Sequence, residues 1–276
     1  MKKPIDRVLM INSFCTVGKV SITNMMPIMS VRGIEACPMP SIVLSSHTEG
    51  FKDIATFTGK TFIEDATRSM KENNIYFDLN YIGYLGNIEN INQTQNYLKE
   101  VKDCINIIDP IFADDFKLYS GFDMNYVYKI RELLKYSNII TPNFTEALFL
   151  TGREKEIREI YNEDYIKDII YDLRELGAKN IIITSVPSSK ENELKIAVFD
   201  GEDLTFVTHE RMKKSYTGTG DIFAGVLCTE VLRGTDLVTA SRRSGEFVKD
   251  CIEYSMQFDY PAIEGVLLEK QLYRLI

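Results

Sequence analysis

Histidine is almost missing from this chain of 276 residues: only His47 and His209 are present, too few for the imidazole clusters that hold zinc or similar ions. Cysteine is scarce and unpaired in pattern. Cys15, Cys37, Cys104, Cys228 and Cys251 include no CxxC pair, which excludes a zinc knuckle, a redox dithiol and a disulfide framework and leaves buried thiols. No run of about 18 apolar residues escapes interruption by charge, so no membrane-spanning helix is expected. The start MKKPIDRVLMINSF sets lysines before an apolar run, but Arg7 and Asn12 close that run after four residues. An export signal needs a longer one, and a cytoplasmic protein is expected. Positive charge has neither excess nor pattern: 32 Lys and Arg face 40 Asp and Glu, for a net charge of −8. Without a basic stripe, no nucleic-acid partner is expected.

What is present is an ordinary globular composition, 45% hydrophobic and 26% charged, which suits a folded α/β protein rather than a disordered or fibrous one. Short apolar runs alternate with helical periodicity almost end to end. Strands are predicted at 7–11, 37–44, 76–82, 104–108, 138–140 and 180–185. Helices are predicted at 20–31, 62–73, 88–102, 124–136, from Thr145, and at 164–176, 219–233 and 236–256. Such alternation predicts a mostly parallel sheet covered by helices on both faces, because parallel strands need crossovers. Pro38 and Pro40 place the start of the second strand near an edge. Late in the chain, 194–199 and 204–207 flank Asp200-Gly201-Glu202-Asp203, the pattern of an antiparallel hairpin. With neither linker nor repeat, residues 1–276 read as a single domain.

The strongest local motif is Gly218-Thr219-Gly220-Asp221 opening the helix IFAGVLCTEVL. Free amides and the positive dipole end at a helix N-terminus attract phosphate, and glycine lets it approach the backbone. Asp221 would repel a phosphate that merely docked, so its presence suggests a base beside the phosphate. The competing reading is an acidic first-turn residue that only favours the dipole. Residues 13–20 fail as a P-loop, since Ser13 stands where the first glycine belongs and Val20 where a hydroxyl is needed. GTGDIFAG also lacks the third glycine of a dinucleotide fingerprint.

Polar groups gather after other predicted strands. Asp109, Asp114 and Asp115 follow the strand at 104–108, and Asn143 and Glu146 follow the one at 138–140. Ser45-Ser46-His47-Thr48-Glu49 follows the second strand, Ser13 the first, and Tyr84 the third. In a parallel sheet, ligands bind at the carboxyl ends of strands. Carboxylates and an amide near phosphate describe a magnesium site. For Asn143 and Glu146 a capping box competes, and for Asp114 and Asp115 a solvated loop. His47 reads equally as structural or as part of a polar pocket.

As a set, INSFCTVGKVS, SSHTEGF, GYLG, DPIFADD with KLYSGF, ITPNFTEALFLTG, ITS and GTGDIFAG resemble the ribokinase-like superfamily and, within it, the pyridoxal kinases. The resemblance runs nearly the full length. Hydroxymethylpyrimidine kinases share TPN-x-x-E and GTGD but usually carry a glycine-rich N-terminal segment not found here. The resemblance implies a three-layer α/β/α fold and a homodimer, with ATP as co-substrate, Mg2+, room for a monovalent cation, and a vitamin B6 vitamer as substrate. Asp221 would be the general base, with Gly218, Thr219 and Gly220 stabilising the transferred phosphoryl group. Asp109, Glu146 and Asp114 would serve the metal, and Asn143, Thr184, Ser185 and Thr219 the nucleotide. Ser13 and Thr48 would bond the pyridine edge, His47 and Tyr84 would flank the ring, and 117–122 would cover the site. Two departures stand out. Ala113 replaces a usual glycine beside Asp114, and Glu49 adds a charge that could favour the amine of pyridoxamine.

Overall fold

The computed structural model describes residues 3–156 and 161–276, so Lys2 of the leader-like start lies outside it. The strands are β1 (Arg7–Val17), β2 (Glu35–Ser46), β3 (Thr56–Phe57), β4 (Leu79–Ile82), β5 (Ile105–Ile108), β6 (Ala113–Asp114), β7 (Lys117–Leu118), β8 (Ile139–Ile140), β9 (Asn180–Pro187), β10 (Glu193–Phe199) and β11 (Leu204–Glu210). The helices are α1 (Ile22–Val31), α2 (Phe62–Glu72), α3 (Ile88–Glu100), α4 (Met124–Leu134), α5 (Phe144–Thr151), α6 (Glu163–Glu175), α7 (Thr219–Leu232) and α8 (Leu237–Ser255).

Among the described residues one nine-stranded sheet has the order β11-β10-β9-β8-β5-β4-β1-β2-β3. Neighbours from β2 through β9 pair in parallel. The β10–β11 hairpin closes one edge antiparallel, as its Gly-containing turn predicts, and β3 closes the other. Side chains alternate across the sheet as a strand requires. Leu9 and Ile11 enter a core with Ile63, Ile91, Val127, Leu148 and Ile169 from α2 to α6. Val8 and Met10 enter the opposite core with Met25, Leu227 and Ala240 from α1, α7 and α8. The result is the expected three-layer α/β/α arrangement. Helix α7 is buried at every position from Asp221 to Glu230, which explains why its sequence is apolar all round rather than on one stripe.

Several boundaries differ from the sequence reading. Strand β1 continues past Ile11 to Val17 through a register shift between Asn12 and Phe14. Strand β4 starts only at Leu79. Pro38 and Pro40 lie in β2 where β1 alone pairs with it, since β3 reaches only Val43 and Leu44; a residue without N–H is tolerated on such a free side. The chain ends in three short 3-10 turns, Ala262–Glu264, Leu268–Lys270 and Leu272–Leu275, which sequence periodicity did not disclose. All five cysteines are free, three buried and two half-buried. Among the described residues no helix is long and apolar enough to cross a membrane.

Candidate active site

The parallel strands end along one rim of the sheet, and the polar residues singled out above lie on it. Ser13 follows the apolar part of β1, Tyr84 follows β4, Asp109 directly follows β5 and Asn143 follows β8. Thr184 and Ser185 sit within β9 where its pairing with β10 shifts register, and Ser185 has a left-handed φ of 57°. A bulge of this kind re-aims side chains at the end of a strand. Asn143 and Thr184 are bridge partners across the β8–β9 gap.

Five helices begin with an Asn or Asp cap that accepts an amide hydrogen: Asn87, Asp123, Asn143, Asn162 and Asp236. Helix α7 instead starts at Gly218, which supplies no capping side chain. Helices α1 and α2 likewise lack a side-chain cap bond at Ser21 and Thr61, but at α7 the cap residue is a glycine with no side chain to offer, which leaves its first-turn amides open to an anion. Gly218 has φ 79°, and a Cβ there would run into the Lys19 carbonyl and stand 2.6 Å from Asn24 Nδ2. Only glycine fits. The same Asn24 donates to Lys19 O at 2.6 Å and to Gly218 O at 3.0 Å, so this buried residue of α1 holds the turn from behind. Gly220 is exposed and Thr219 half-buried, whereas Asp221 is only 8% exposed.

Burial pushes the Asp221 carboxyl up to about 6, against the opposing effect of the Ser21 amide and the Asn12 side chain. Asn12 Nδ2 donates to Asp221 Oδ1 at 3.5 Å, while Asn12 Oδ1 accepts from the amides of Ser13 (2.8 Å) and Tyr84 (2.9 Å). One amide side chain thus joins β1, at its register shift, and the end of β4 to the carboxylate of α7. Gly83 makes room for it, since a Cβ there would stand 2.7 Å from Asn12 Cγ. The Ser13 hydroxyl lies 2.6 Å from that of Ser21.

Asp109 and Glu146 form a second buried group, 9% and 3% exposed. Burial first, opposed by the Tyr81 hydroxyl and reinforced by the Asp221 charge, pushes Asp109 up to about 7. Glu146 is raised well above the ordinary carboxylate range by burial and then by Asp109. The capping box expected of Asn143 and Glu146 is present: Glu146 N donates to Asn143 Oδ1 and Asn143 N to Glu146 Oε2, both at 2.8 Å. Glu146 Oε1 also accepts from Phe112 N at 3.0 Å, and Asn143 Nδ2 donates to Ala113 O at 2.7 Å. The capping reading of this motif is what the geometry shows, and through Phe112 and Ala113 it also fixes the loop after Asp109.

No positive side chain is among the groups acting on Asp109, Glu146 or Asp221. Three buried carboxylates without a protein cation suit an added divalent ion that shares them with water and phosphate. Among the described residues no three His, Cys, Asp or Glu side chains converge as a metal-ligand group. Asp114 stands apart from the buried pair. It is exposed and accepts the Asp115 amide at 2.8 Å.

On the other side, Tyr84 is half-buried and its ring lies 5.4 Å from that of Phe122. The segment 117–122, expected as a loop, starts as a strand in the β6–β7 hairpin. Its Tyr119 hydroxyl is raised by burial and then by Glu146, Asp114, Asp221 and Glu49, so the segment lies near those four carboxylates. Thr48 and Glu49 are exposed, while His47 is buried. Sequence reasoning missed Asn12, Asn24 and Tyr81. Asn12 carried a signal, since it ends the first apolar run beside Ser13, whereas Tyr81 looks like any core aromatic.

A model of the family described as phosphomethylpyrimidine kinase matches residues 28–264. A pyridoxal kinase of Arabidopsis thaliana is 26% identical over 240 residues, covering 80% of this chain and 72% of its own. A hydroxymethylpyrimidine/phosphomethylpyrimidine kinase of Aquifex aeolicus is 26% identical over 175 residues, covering 63% of this chain and 66% of its own. A Bacteroides thetaiotaomicron protein, provisionally named a phosphomethylpyrimidine kinase and crystallised with pyridoxal, superposes with a TM-score of 0.92 at 29% identity, over 98% of this chain and 96% of its own. With its motifs in order along the rim of a ribokinase-like fold, the chain belongs to the phosphomethylpyrimidine kinase family, in which pyridoxal kinases are among its relatives.

Proposed function

We propose that this kinase phosphorylates the 5′-hydroxymethyl group of pyridoxal, pyridoxine or pyridoxamine with ATP, on one domain. The observation that carries the reading is the link from Asp221, beside the open Gly218–Gly220 turn, through Asn12 to Ser13 and Tyr84. It joins the phosphoryl-transfer side to the side where the resemblance puts a pyridine ring. The pyridoxal bound by the Bacteroides relative supports the same substrate class.

Asp221 takes the proton of the substrate hydroxymethyl group as that oxygen attacks the γ-phosphate. A carboxyl held near 6 is mostly ionised at neutral pH and more basic than an ordinary aspartate. The amides of Gly218, Thr219 and Gly220 receive the charge that builds on the transferred group, already oriented and without a competing cap. Asn143, Thr184 and Ser185 hold the phosphates of the nucleotide. Ser13 and Thr48 bond the polar edge of the pyridine, with Tyr84 and the face of His47 against the ring. Asp109 and Glu146 would hold magnesium, partly through water, with Asp114 as a further oxygen donor; the ion would neutralise phosphate charge. A monovalent cation and a homodimer complete the reading, both resting on the resemblance. Salt-exchange assays and sedimentation test them.

The second reading, a hydroxymethylpyrimidine kinase, is favoured by the family description and by the Aquifex relative. Both use the same base and anion turn. Supplying pyridoxal, pyridoxine, pyridoxamine and hydroxymethylpyrimidine singly and then in competition separates them. Turnover of hydroxymethylpyrimidine with little phosphorylation of any vitamer would overturn the first reading. Tight vitamer binding with no ATP consumption would make the protein a binder on a kinase fold.

A further inference from the structure

The backbone oxygen of Ile263, in the turn Ala262–Glu264 near the end of the chain, accepts from His47 Nε2 at 2.6 Å and from Thr217 Oγ1 at 3.3 Å. The other ring nitrogen of His47, Nδ1, accepts the Glu49 amide at 3.2 Å. The ring therefore carries its hydrogen on Nε2, and both nitrogens are committed inside the protein. Phe51 packs edge-on at 4.8 Å, and a Cβ on Gly18 would collide with the imidazole. At 6% exposure His47 has little left to offer a ligand except a ring face.

The C-terminal segment that supplies this oxygen is itself tied down. Tyr260 donates to Gly265 O at 2.8 Å, and Leu267 N donates to Ser255 Oγ at 2.8 Å. Lys214 lies over the rings of Tyr216 and Tyr260, 4.9 and 5.5 Å from their centroids, and Lys19 pairs with Glu269. Thr217 immediately precedes Gly218, the residue that opens the anion turn. One carbonyl thus connects the loop after β2, the end of the chain and the residue in front of the phosphate turn.

We infer that His47 is a positioning residue for phosphoryl transfer. Through the Ile263 carbonyl and Thr217 it fixes the Gly218–Gly220 turn relative to the substrate loop, with 260–269 as the strap that makes the connection. The inference rests on the kinase reading above and goes beyond a ring contact with substrate. A ring contact acts on the KM of the alcohol, whereas a misplaced anion turn acts on kcat, because the turn's amides are needed most in the transition state.

The test is steady-state kinetics on the full chain with saturating ATP and magnesium, using the alcohol that the wild type turns over best. His47→Ala should lower kcat about tenfold or more, beyond any rise in KM from losing the ring face. His47→Gln, whose amide can again donate to Ile263 O, should recover most of the loss. Thr217→Val, which removes only the hydroxyl, should lower kcat several-fold with little change in melting temperature. The double variant His47→Ala/Thr217→Val should lose less than the product of the single losses, since both bond the one carbonyl and Thr217 Oγ1 also lies 3.4 Å from His47 Nε2. A raised KM with unchanged kcat in His47→Ala, or multiplicative losses in the double variant, would overturn the inference alone. If His47→Ala does not fold, Thr217→Val decides: unchanged kcat overturns it. A wild type that turns over neither a vitamer nor hydroxymethylpyrimidine defeats the kinase reading and this inference with it.

Discussion

The hydroxyl of Tyr81, a side chain with no solvent exposure in the middle of the sheet, donates a 2.7 Å hydrogen bond to Asp109 Oδ2. With Thr141 it opposes the burial that drives Asp109 up to about 7, and it is the larger of the two effects. Tyr81→Phe keeps the packing and removes only that donor, so the Asp109 carboxyl should rise further and be largely protonated at neutral pH. The magnesium concentration for half-maximal rate should increase at pH 7, and the deficit should shrink at pH 8.5. An unchanged magnesium dependence at both pH values would remove Asp109 from the metal site.

Asp221→Asn separates a base from a helix-dipole charge. Turnover should fall by about a hundred- to ten-thousand-fold, the usual worth of general-base assistance. Stability should move the opposite way. The carboxyl lies about two pKa units above its ordinary value of 3.8, at about 6, so ionised Asp221 costs the fold on the order of 3 kcal/mol at pH 7. An asparagine should relieve part of that cost and raise the melting temperature. Near-normal turnover with a lower melting temperature would return Asp221 to the role of a favourable first-turn charge.

The same shifts fix how the apo protein responds to pH. A carboxyl whose folded pKa is raised binds its proton more tightly folded than unfolded, so it destabilises the fold above that pKa and ceases to do so below the unfolded value. For Asp221 the window runs from about 6 down to 3.8, and for Asp109 from about 7 down to 3.8. Glu146 adds in the same direction. Stability measured by urea melts without metal or nucleotide should therefore rise as pH falls from about 7 to 5, and magnesium with ATP analogue should flatten the trend. A monotonic loss of stability over that interval would contradict the assignment of three buried, unpaired carboxylates.

The alternation of strands and helices was legible because each element needs one face, or two, of apolar residues, and the parallel sheet follows from the crossovers. Strand β1 was read short where function intervenes. Its apolar run stops at Asn12, yet backbone pairing with β2 continues to Val17, since a ladder does not need apolar side chains. Asn143 and Glu146 were legible because a capping box lies within four consecutive residues. The links of Asn12 to Asp221 and of Tyr81 to Asp109 were not, because the partners lie 209 and 28 positions apart, although Asn12 itself marks the end of the first apolar run. His47 could be noticed but not placed, since its partner is a backbone carbonyl in a tail without periodicity.

Glu146→Gln should affect both stability and metal use. The side chain accepts amides on both oxygens, from Asn143 on Oε2 and from Phe112 on Oε1. An amide can serve only one of these sites and turns an NH2 toward the other donor. Losing one buried acceptor costs roughly 1–3 kcal/mol, partly offset by removing a buried charge. The magnesium requirement should rise as well, through loss of an oxygen ligand or of the loop that presents Asp109. Calorimetry and a magnesium titration on the same sample check the two effects. A lower melting temperature with the wild-type magnesium requirement would leave Glu146 a cap and nothing more.

Gly218→Ala tests whether the anion turn depends on its backbone shape. A left-handed φ of 79° costs a non-glycine residue roughly 1–2 kcal/mol, and the new methyl also meets the Lys19 carbonyl and Asn24 Nδ2. Neither neighbour can retreat cheaply. Lys19 O is backbone, and Asn24 Nδ2 is tied to it and to Gly218 O. The turn itself must shift, carrying the first amides of α7 away from the position where they receive phosphoryl charge. Removing one oxyanion donor costs about a hundred- to a thousand-fold in kcat, and displacing the turn should approach that loss. Exposed Gly220, whose added Cβ would meet nothing within 4 Å, is the control. Gly220→Ala should fold as well as wild type and lose activity only to the extent that its methyl blocks the phosphate. Equal, small effects of the two substitutions would show that the turn does not act through its geometry.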